Sequence, residues 1–454
     1  MFSSRAYAAF LFLTVFTFAA CGVDQIKDTK PVIIELQRET QPLEDHAGVK
    51  NFYGVKNFYS AVMNVGSPEP QRMRMAFDLT GATTTLTSKD CKSKACGKRR
   101  TYDKWVSDSA EDVQRDGSLV MPGTPKVPSR RKRFLARDVG TLDFVSVEFG
   151  EGRAKGKFVR DKVCFDAKDG EARCFPLAFL AASTMTDEPF LAEPYDGVIG
   201  LGVDGDALSR DFYFLSQFGR SSTGQMHPIF GLYMGSQQGA ELALGGYDST
   251  RMNSPISWAP LIDTDDGRWQ VSISAIRVGN KTLDMCSTGK CRAALDHSTS
   301  LFSVPSSFGA ILENTLSLAA SQQSCDGPTM PELQLVLGTL TLSVPVWDHA
   351  FGSNPSGGSS CTPALATHDF AKNTPADAEL MILGESVLQR YYTIYDTDAR
   401  RIGFSLAAAA QGSSSGKPKL EDDDTEAPSP VKDGVILLVQ VKITRSKTQS
   451  SLGV

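Results

Sequence analysis

The chain has 454 residues, of which 41% are hydrophobic, and a formal net charge of −5. This length exceeds one ordinary hydrophobic core and allows two lobes with tails. The acidic balance, and the lack of a basic stripe with interleaved aromatic residues, argue against nucleic-acid binding. We therefore expect no nucleic-acid partner.

Residues 1–21 have the pattern of a secretory signal peptide. Arg5 gives a positive start, Ala8 to Ala20 form an apolar core, and small residues end the segment. The alternative is a membrane anchor, but the run is short for a span and no other run of spanning length occurs. We expect entry into the secretory pathway without a transmembrane span, with the protein secreted or held in the lumen of an acidic endomembrane compartment.

Residues 22–50 are polar and mixed in charge, with no clear hydrophobic period. Val49–Tyr53 then recurs as Val55–Tyr59, a six-residue duplication that we interpret as a neutral repeat. Tyr59–Val65 then alternates as a strand, and Gly66–Gln71 is typical of a turn. The apolar stretch Met75–Phe77 leads to Asp78 and a small loop.

A polar insert at about 98–135 contains several prolines and the basic run 129–133. We interpret the insert as an exposed loop. The basic run is either a convertase-type cleavage site or, more commonly for such runs, a solvated face. Further on, Thr141–Glu148 is strand-like and Phe149–Arg153 has the glycine spacing of a hairpin tip.

A second acid repeats the pattern of the first. Ala293–Leu295 is apolar and leads to Asp296, and the polar loop 297–300 follows. A buried carboxylate is costly unless it is hydrogen-bonded, although a single Asp in such a loop is commonly structural. Two copies lie 218 residues apart, about half the chain. Two similar lobes would bring the two carboxylates face to face.

The C-terminal part contains one helix and a long tail. Ser306–Ala319 has apolar residues on one helical face. Residues 407–454 are rich in Ala, Ser and Gly and then acidic, which predicts a disordered tail. The apolar run Val435–Val439 is too short to span a membrane.

The two acid loops, Phe-Asp-Leu-Thr-Gly-Ala-Thr from residue 77 and Leu-Asp-His-Ser-Thr-Ser from residue 295, resemble altered Asp-Thr-Gly loops of the pepsin-like aspartic peptidases. The similarity extends over about 57–406 and includes the glycine hairpin, Glu193–Leu201, Leu242–Asp248 and the closing run 381–404. It implies an all-β fold, mainly antiparallel β with short helices, in a bilobed pepsin-like acid-protease architecture with a central cleft. The domains it implies are a signal peptide 1–21, a prosegment-like region 22–56, an N-terminal lobe 57–245, a C-terminal lobe 246–406 and an acidic tail 407–454.

This resemblance implies that Asp78 and Asp296 form a catalytic pair. Two close carboxylates share one proton because both cannot ionise together. The ionised carboxylate takes a proton from water and the protonated one polarises the peptide carbonyl, with no covalent intermediate and no metal or other cofactor. It also implies that Phe149, Gly150 and Thr299 contact the bound peptide.

The chain has nine cysteines, and eight of them allow 105 pairings. Zinc is the rival interpretation, but no Cys-x-x-Cys pair occurs and the histidines are scattered. The resemblance implies the pairs Cys91–Cys96, Cys286–Cys291 and Cys325–Cys361, and proximity suggests Cys164–Cys174 as an addition. Asn280 begins a possible N-glycosylation sequon, which is a weak signal.

The loops depart from the family pattern. Leu79 and His297 replace the threonines that lock the two loops together, and Thr80 and Ser298 occupy glycine places where a Cβ is expected to crowd the carboxylate. Phe149 replaces the flap tyrosine. An alternative alignment treats Leu79 as an insertion, which would misplace Asp78.

His297 allows two interpretations. A charged ring near the acids would favour ionisation of both, whereas a neutral ring would simply fill the lock position, which is the interpretation we prefer. The sequence thus favours two functions: a pepsin-like endopeptidase of reduced activity, and a non-catalytic peptide- or protein-binding relative. A purely structural secreted protein is a third. In the first two cases a peptide or protein occupies the interlobe cleft of a monomer.

Overall fold

The structure, a computed structural model, describes residues 30–42, 55–120, 145–149, 152–203, 208–221, 226–235, 239–262, 266–320, 330–346, 363–368 and 379–408. Strands dominate these segments and the helices are few and short. The predicted all-β class is therefore confirmed. Within these segments no helix is long and apolar enough to cross a membrane.

Eleven strands lie in the described part of the first half of the chain. In order they are β1 (Val32–Pro42), β2 (Val55–Val65), β3 (Gln71–Asp78), β4 (Thr85–Thr87), β5 (Glu111–Asp112), β6 (Val145–Phe149), β7 (Gly152–Asp166), β8 (Ala172–Met185), β9 (Gly197–Gly200), β10 (Ile229–Met234) and β11 (Ala240–Leu244). Helix α1 (Phe214–Ser221) lies between β9 and β10.

The described part of the second half contains twelve strands and two helices. The strands are β12 (Ser257–Pro260), β13 (Gln270–Ser272), β14 (Ala275–Val278), β15 (Lys281–Leu283), β16 (Arg292–Leu295), β17 (Ser303–Pro305), β18 (Leu333–Leu337), β19 (Leu340–Val344), β20 (Ala366–His368), β21 (Leu380–Leu383), β22 (Tyr391–Asp396) and β23 (Arg401–Leu406). The helices are α2 (Ser306–Ala320) and α3 (Glu385–Arg390). The predicted helix after the second acid is confirmed as α2.

A 14-stranded sheet joins the two halves of the chain. Its order is β12-β23-β22-β10-β11-β1-β2-β3-β9-β4-β8-β7-β5, with β6 paired to β7. The second half adds a five-stranded sheet, β13-β16-β21-β17-β20, and a four-stranded sheet, β15-β14-β18-β19. Because β12, β22 and β23 belong to the second half, the large sheet ties the lobes together.

The first acid lies at the end of β3, which runs parallel to β9 with Asp78 beside Gly200. A Cβ on Gly200 would lie 2.5 Å from the backbone oxygen of Gly81. Such a contact is impossible, so only glycine lets the loop after Asp78 cross β9. This partner segment, Val198–Gly200, lies within Glu193–Leu201, one of the stretches on which the resemblance rests.

The second acid has the same arrangement. β16 runs parallel to β21, and the Asp296 N–H donates to the carbonyl of Leu383 at 3.2 Å. A Cβ on Gly384 would lie 2.1 Å from the backbone oxygen of Leu301. Each carboxylate therefore lies at the end of a strand that is paired in parallel with a second strand. A glycine at the end of that second strand leaves room for the loop that follows the acid.

The first strand, β1, was not predicted, because the mixed charges of the 22–56 region obscure its pattern. Val32, Ile34 and Leu36 are buried while Glu35 and Gln37 are exposed, which is the period of a strand. β1 pairs antiparallel with both β11 and β2.

The polar insert is only partly a surface loop. Tyr102 is buried and its hydroxyl donates to Asp161 Oδ2 at 2.7 Å, and Val113 is also buried. The exposed-loop interpretation is wrong for these residues, since they anchor 98–120 to the N-terminal lobe. The basic run 129–133 lies outside the described residues.

Three of the expected disulfides are present: Cys91–Cys96, Cys164–Cys174 and Cys286–Cys291. Cys325 and Cys361 lie outside the described residues, as do the signal-peptide region and the tail beyond Ala408. Asn280 is exposed between β14 and β15, so its glycosylation stays a prediction at an accessible position.

Candidate active site

The first carboxylate is held by one residue of its own loop. Asp78 Oδ1 accepts hydrogen bonds from the Thr80 backbone N–H at 2.8 Å and from the Thr80 hydroxyl at 2.7 Å. Thr80 is fully buried. The residue in the glycine place therefore keeps the N–H contact and adds a hydroxyl.

The second carboxylate has the same donors and one more. Asp296 Oδ1 accepts from the Ser298 N–H at 2.8 Å and the Ser298 hydroxyl at 2.7 Å. Its Oδ2 accepts from the Thr299 hydroxyl at 2.9 Å. Asp296 is 1% exposed, so these contacts compensate the cost of burying its carboxyl group.

The two loops therefore correspond residue for residue. In both, the N–H and the hydroxyl two positions after the acid reach the same carboxylate oxygen. Treating Leu79 as an insertion is wrong, because Thr80 and Ser298 are equivalent. The expected crowding by a Cβ at these positions is also wrong, since both side chains point to the carboxylate and bind it.

His297 connects the second loop to the strand that carries the first acid. It is buried, and its ring hydrogen-bonds to the backbone of Phe77, the residue before Asp78. Its ring centroid lies 5.8 Å from that of Tyr59 in an edge-to-face arrangement. Burial lowers the pKa of His297, which favours the neutral ring that we preferred.

Leu79, at the corresponding position of the first loop, is fully buried in the hydrophobic core. It has no polar group with which to return the contact. The cross-loop lock is thus one-sided: His297 binds the first lobe, and Leu79 contributes packing alone.

The environment of Asp78 favours its protonated form. Burial raises the pKa of Asp78 to about 7, and the hydrogen bonds from Thr80 oppose this rise only in part. The charges of Asp296 and Glu193 raise it further, because nearby negative charge opposes ionisation. The Asp78 carboxyl group is therefore protonated at acid pH.

Sequence reasoning missed a buried ion pair beside Asp78. Glu193 is buried, and Arg99 Nη2 lies 3.7 Å from its Oε2. The Arg99 guanidinium also lies 5.5 Å from the Tyr195 ring centroid. The sequence signal of Glu193 was weak, because the segment that leads to β9 also contains Asp187, Glu188 and Asp196.

A second missed residue is Glu385, which directly follows Gly384 and is fully buried. It accepts hydrogen bonds from Asn57 and Tyr59 of β2 in the other lobe. A carboxylate in a closing apolar run was the available signal.

The predicted hairpin is present. β6 pairs with β7, with Phe149 opposite Gly152. A Cβ on Gly152 would lie 2.4 Å from Pro189, so the hairpin packs closely on the segment before β9. Gly150 and the side chain of Phe149 lie outside the described residues. No group of three or more His, Cys, Asp or Glu side chains suited to a metal occurs in the described part of the chain.

The chain is all-β, and its two matching strand-loop units each supply a hydrogen-bonded carboxylate. These features define an acid-protease-like class of protein. Comparison with known families agrees, because the model for eukaryotic aspartyl protease matches residues 139–407, more than half of the chain. The chain belongs to the eukaryotic aspartyl protease family, and the predicted pepsin-like fold is confirmed. Asp296 lies within the match, and Asp78 precedes it.

Individual relatives have low sequence identity to this chain, but the alignments cover most of its length. The chain is 24% identical to cathepsin E of Aquarana catesbeiana over 376 residues, which is 81% of each chain. It is 26% identical to gastricsin of Cavia porcellus over 356 residues, covering 76% of this chain and 79% of that protein. It is 24% identical to pepsin-2B of Gadus morhua over 355 residues, covering 76% of this chain and 95% of that protein.

Proposed function

We propose that the protein is a pepsin-like aspartic endopeptidase in which Asp78 is the general acid and Asp296 the general base. The observation that carries this proposal is the matched pair of loops, which hold two neighbouring carboxylates with the same donors. Burial and the Asp296 charge raise the pKa of Asp78 to about 7, so Asp78 carries the proton. Asp296, whose two oxygens act as acceptors, is then the base.

In the proposed reaction a peptide lies in the cleft with its carbonyl oxygen toward Asp78. Asp296 takes a proton from a water molecule, whose oxygen attacks the carbonyl carbon, while Asp78 donates its proton to the carbonyl oxygen. The tetrahedral intermediate collapses when the amide nitrogen receives the proton held by Asp296 and the C–N bond breaks. Asp78 recovers its proton from the intermediate, and no covalent enzyme intermediate forms.

The residues that were predicted to contact the bound peptide keep that role in the proposal. Phe149 and Gly150 of the hairpin close over the peptide, and Thr299 contacts substrate while it holds Asp296. We propose a monomer that needs no cofactor and acts in the secretory pathway. We propose two lobes, 57–245 and 246–406.

A second candidate is a peptide-binding relative that does not cleave. It is favoured by Leu79, which is fully buried and lacks the hydroxyl that would complete the lock. A catalytic geometry loosened by about 1 Å can lose about 100-fold in rate. Such a protein would keep the cleft and lose turnover.

The test is cleavage of a peptide library at acid pH, with and without a statine-type inhibitor. Purified wild type is compared with Asp78→Asn, Asp296→Asn and the exposed control Asp166→Asn. We expect inhibitor-sensitive cleavage by wild type and the control, and none by the other two. Peptide binding without cleavage by wild type would support the second candidate instead.

A further inference from the structure

Arg99 joins the loop of the first disulfide to the segment that leads to β9. Its Nε donates to the carbonyl of Ala95, inside that loop, at 3.1 Å. Its two terminal nitrogens donate to the carbonyls of Phe190 and Tyr195. One side chain, only 4% exposed, therefore holds three backbone carbonyls from two separate segments. A guanidinium has the planar set of donors that such contacts require, whereas an ammonium group does not.

Tyr195 brings this contact to the face that carries the first acid. Its ring packs with Phe58, Ala76 and Val198 in a hydrophobic cluster separate from the main core. Ala76 precedes Asp78 by two residues in β3, and residues two apart in a strand share one face. Tyr195 therefore packs against the face of β3 that carries the carboxylate. A shift of its segment would move the apolar surface beside that carboxylate.

The same arginine compensates a buried carboxylate. Arg99 Nη2 lies 3.7 Å from Glu193 Oε2, and the Glu193 side chain is 2% exposed. A buried charge needs a partner of opposite sign, so loss of either group would leave the other uncompensated.

The charge of Glu193 also acts on the first acid. Burial raises the pKa of Asp78 most, and the charges of Asp296 and then Glu193 add to the rise. Two rings lie in the same surroundings, His297 of the second loop and Tyr195. Burial lowers the pKa of His297 and raises that of Tyr195, so both rings are uncharged near pH 7. The two carboxylates and the arginine partner of Glu193 therefore supply the charge around Asp78.

We propose that Arg99 is a positioning residue for the apolar surface beside Asp78, and that the Arg99–Glu193 ion pair balances the charge against which Asp78 holds its proton. The two roles are separable, because positioning needs the three donors of Arg99 whereas balance needs only its charge. The kinetic part of this inference rests on the proposed peptidase function. The titration of Asp78 in the folded protein does not.

The experiment compares four variants of the full chain. Arg99→Met removes the donors and the charge, Arg99→Lys keeps the charge, and Glu193→Gln removes the opposite charge. The double variant Arg99→Met/Glu193→Gln completes a cycle. The matched control is Arg100→Met, since Arg100 is 53% exposed and its Nε lies 3.2 Å from Asp196 in the same segment.

Four quantities are measured for each protein. They are kcat and KM, the pH profile of kcat/KM for the best library peptide, the affinity for a statine-type peptide, and the melting temperature across pH. Each melting curve is compared with that of the same protein carrying Asp78→Asn, which isolates the titration of Asp78.

The positioning role predicts a change in KM. Arg99→Met and Arg99→Lys should each raise KM and weaken statine-peptide binding by about tenfold, because charge-assisted hydrogen bonds to the segment are lost. kcat should change less, since both acids keep the donors of their own loops. Arg100→Met should stay within about twofold of wild type, because its ion pair is exposed.

The charge balance predicts opposite shifts from the two partners. Glu193→Gln leaves Arg99 positive, so the basic limb of kcat/KM should move lower by on the order of 0.5 pH unit. Arg99→Met leaves Glu193 negative, so the limb should move higher by a similar amount. Arg99→Lys and the double variant should stay near wild type. The pH at which stability relative to Asp78→Asn stops falling should move in the same directions.

A KM for Arg99→Lys equal to that of wild type would overturn the positioning role. Limbs that move in the same direction in Glu193→Gln and Arg99→Met, or that do not move, would overturn the charge balance. If Arg99→Met does not fold, the double variant decides instead, since it must reverse the shift seen in Glu193→Gln. If wild type neither cleaves nor binds peptide, the proposed function and the positioning role both fail. The melting curves then still decide the charge balance.

Discussion

Replacing His297 should show whether this residue links the second acid loop to the first lobe or only fills space. We consider His297→Leu, which makes the second loop like the first. The change removes the hydrogen bond to the backbone of Phe77, which is 4% exposed, and the edge-to-face contact with Tyr59. An unsatisfied buried carbonyl costs about 1–3 kcal/mol. The lost ring contact adds about 0.5–1.5 kcal/mol.

The expected loss is therefore about 2–4 kcal/mol in the free energy of unfolding, or a fall in melting temperature of about 3–7 °C for a chain of this size. kcat should fall by about 100-fold because Asp78 and Asp296 lose their fixed separation. Scanning calorimetry and peptide hydrolysis measure the two effects. The surface control is His227→Leu, and His297→Gln, which keeps a donor, should recover part of the loss. If His297→Leu behaves like His227→Leu in both assays, the lock that we describe does not exist.

Three other predictions follow from the same geometry. Ser298→Ala and Thr80→Val each remove one hydroxyl from a carboxylate and should lower kcat by about tenfold, whereas unchanged rates would show that the backbone N–H groups suffice. Asp78 has a pKa raised in the folded state to about 7, so the folded protein binds its proton more tightly than the unfolded chain. Wild type should therefore lose stability relative to Asp78→Asn as pH rises from about 4 to about 7. The same dependence of melting temperature on pH in both proteins would contradict this prediction. Gly384→Ala places a Cβ 2.1 Å from the Leu301 oxygen and should cost about 1–3 kcal/mol, against little change for Gly97→Ala, whose Cβ meets its nearest atom at 3.4 Å.

Features encoded by neighbouring residues could be predicted from sequence. Apolar triplets followed by Asp and small polar residues marked both acid loops, and apolar periodicity marked α2. The segments that partner Asp78 and Asp296 were found only through the resemblance, and the structure shows why each of them contains a glycine at the crossing.

Features that depend on distant contacts could not be predicted. His297 and Phe77 are 220 positions apart, and Arg38 and Glu385 are 347 apart, so no local pattern links them. The strand β1 was hidden because its charged residues meet partners elsewhere in the fold. The roles of Thr80 and Ser298 depended on side-chain direction, which a motif comparison does not give.

The central claim is that Asp78 and Asp296 work as one acid–base pair with the proton on Asp78. The most direct measurement is the pH profile of kcat/KM for the best library peptide, since its basic limb reports the acid of the free enzyme. We predict activity at acid pH that falls through about pH 7, the raised pKa of Asp78, and is absent in Asp78→Asn and Asp296→Asn. Activity that continues to rise above neutral pH, or that survives either substitution, would contradict the account.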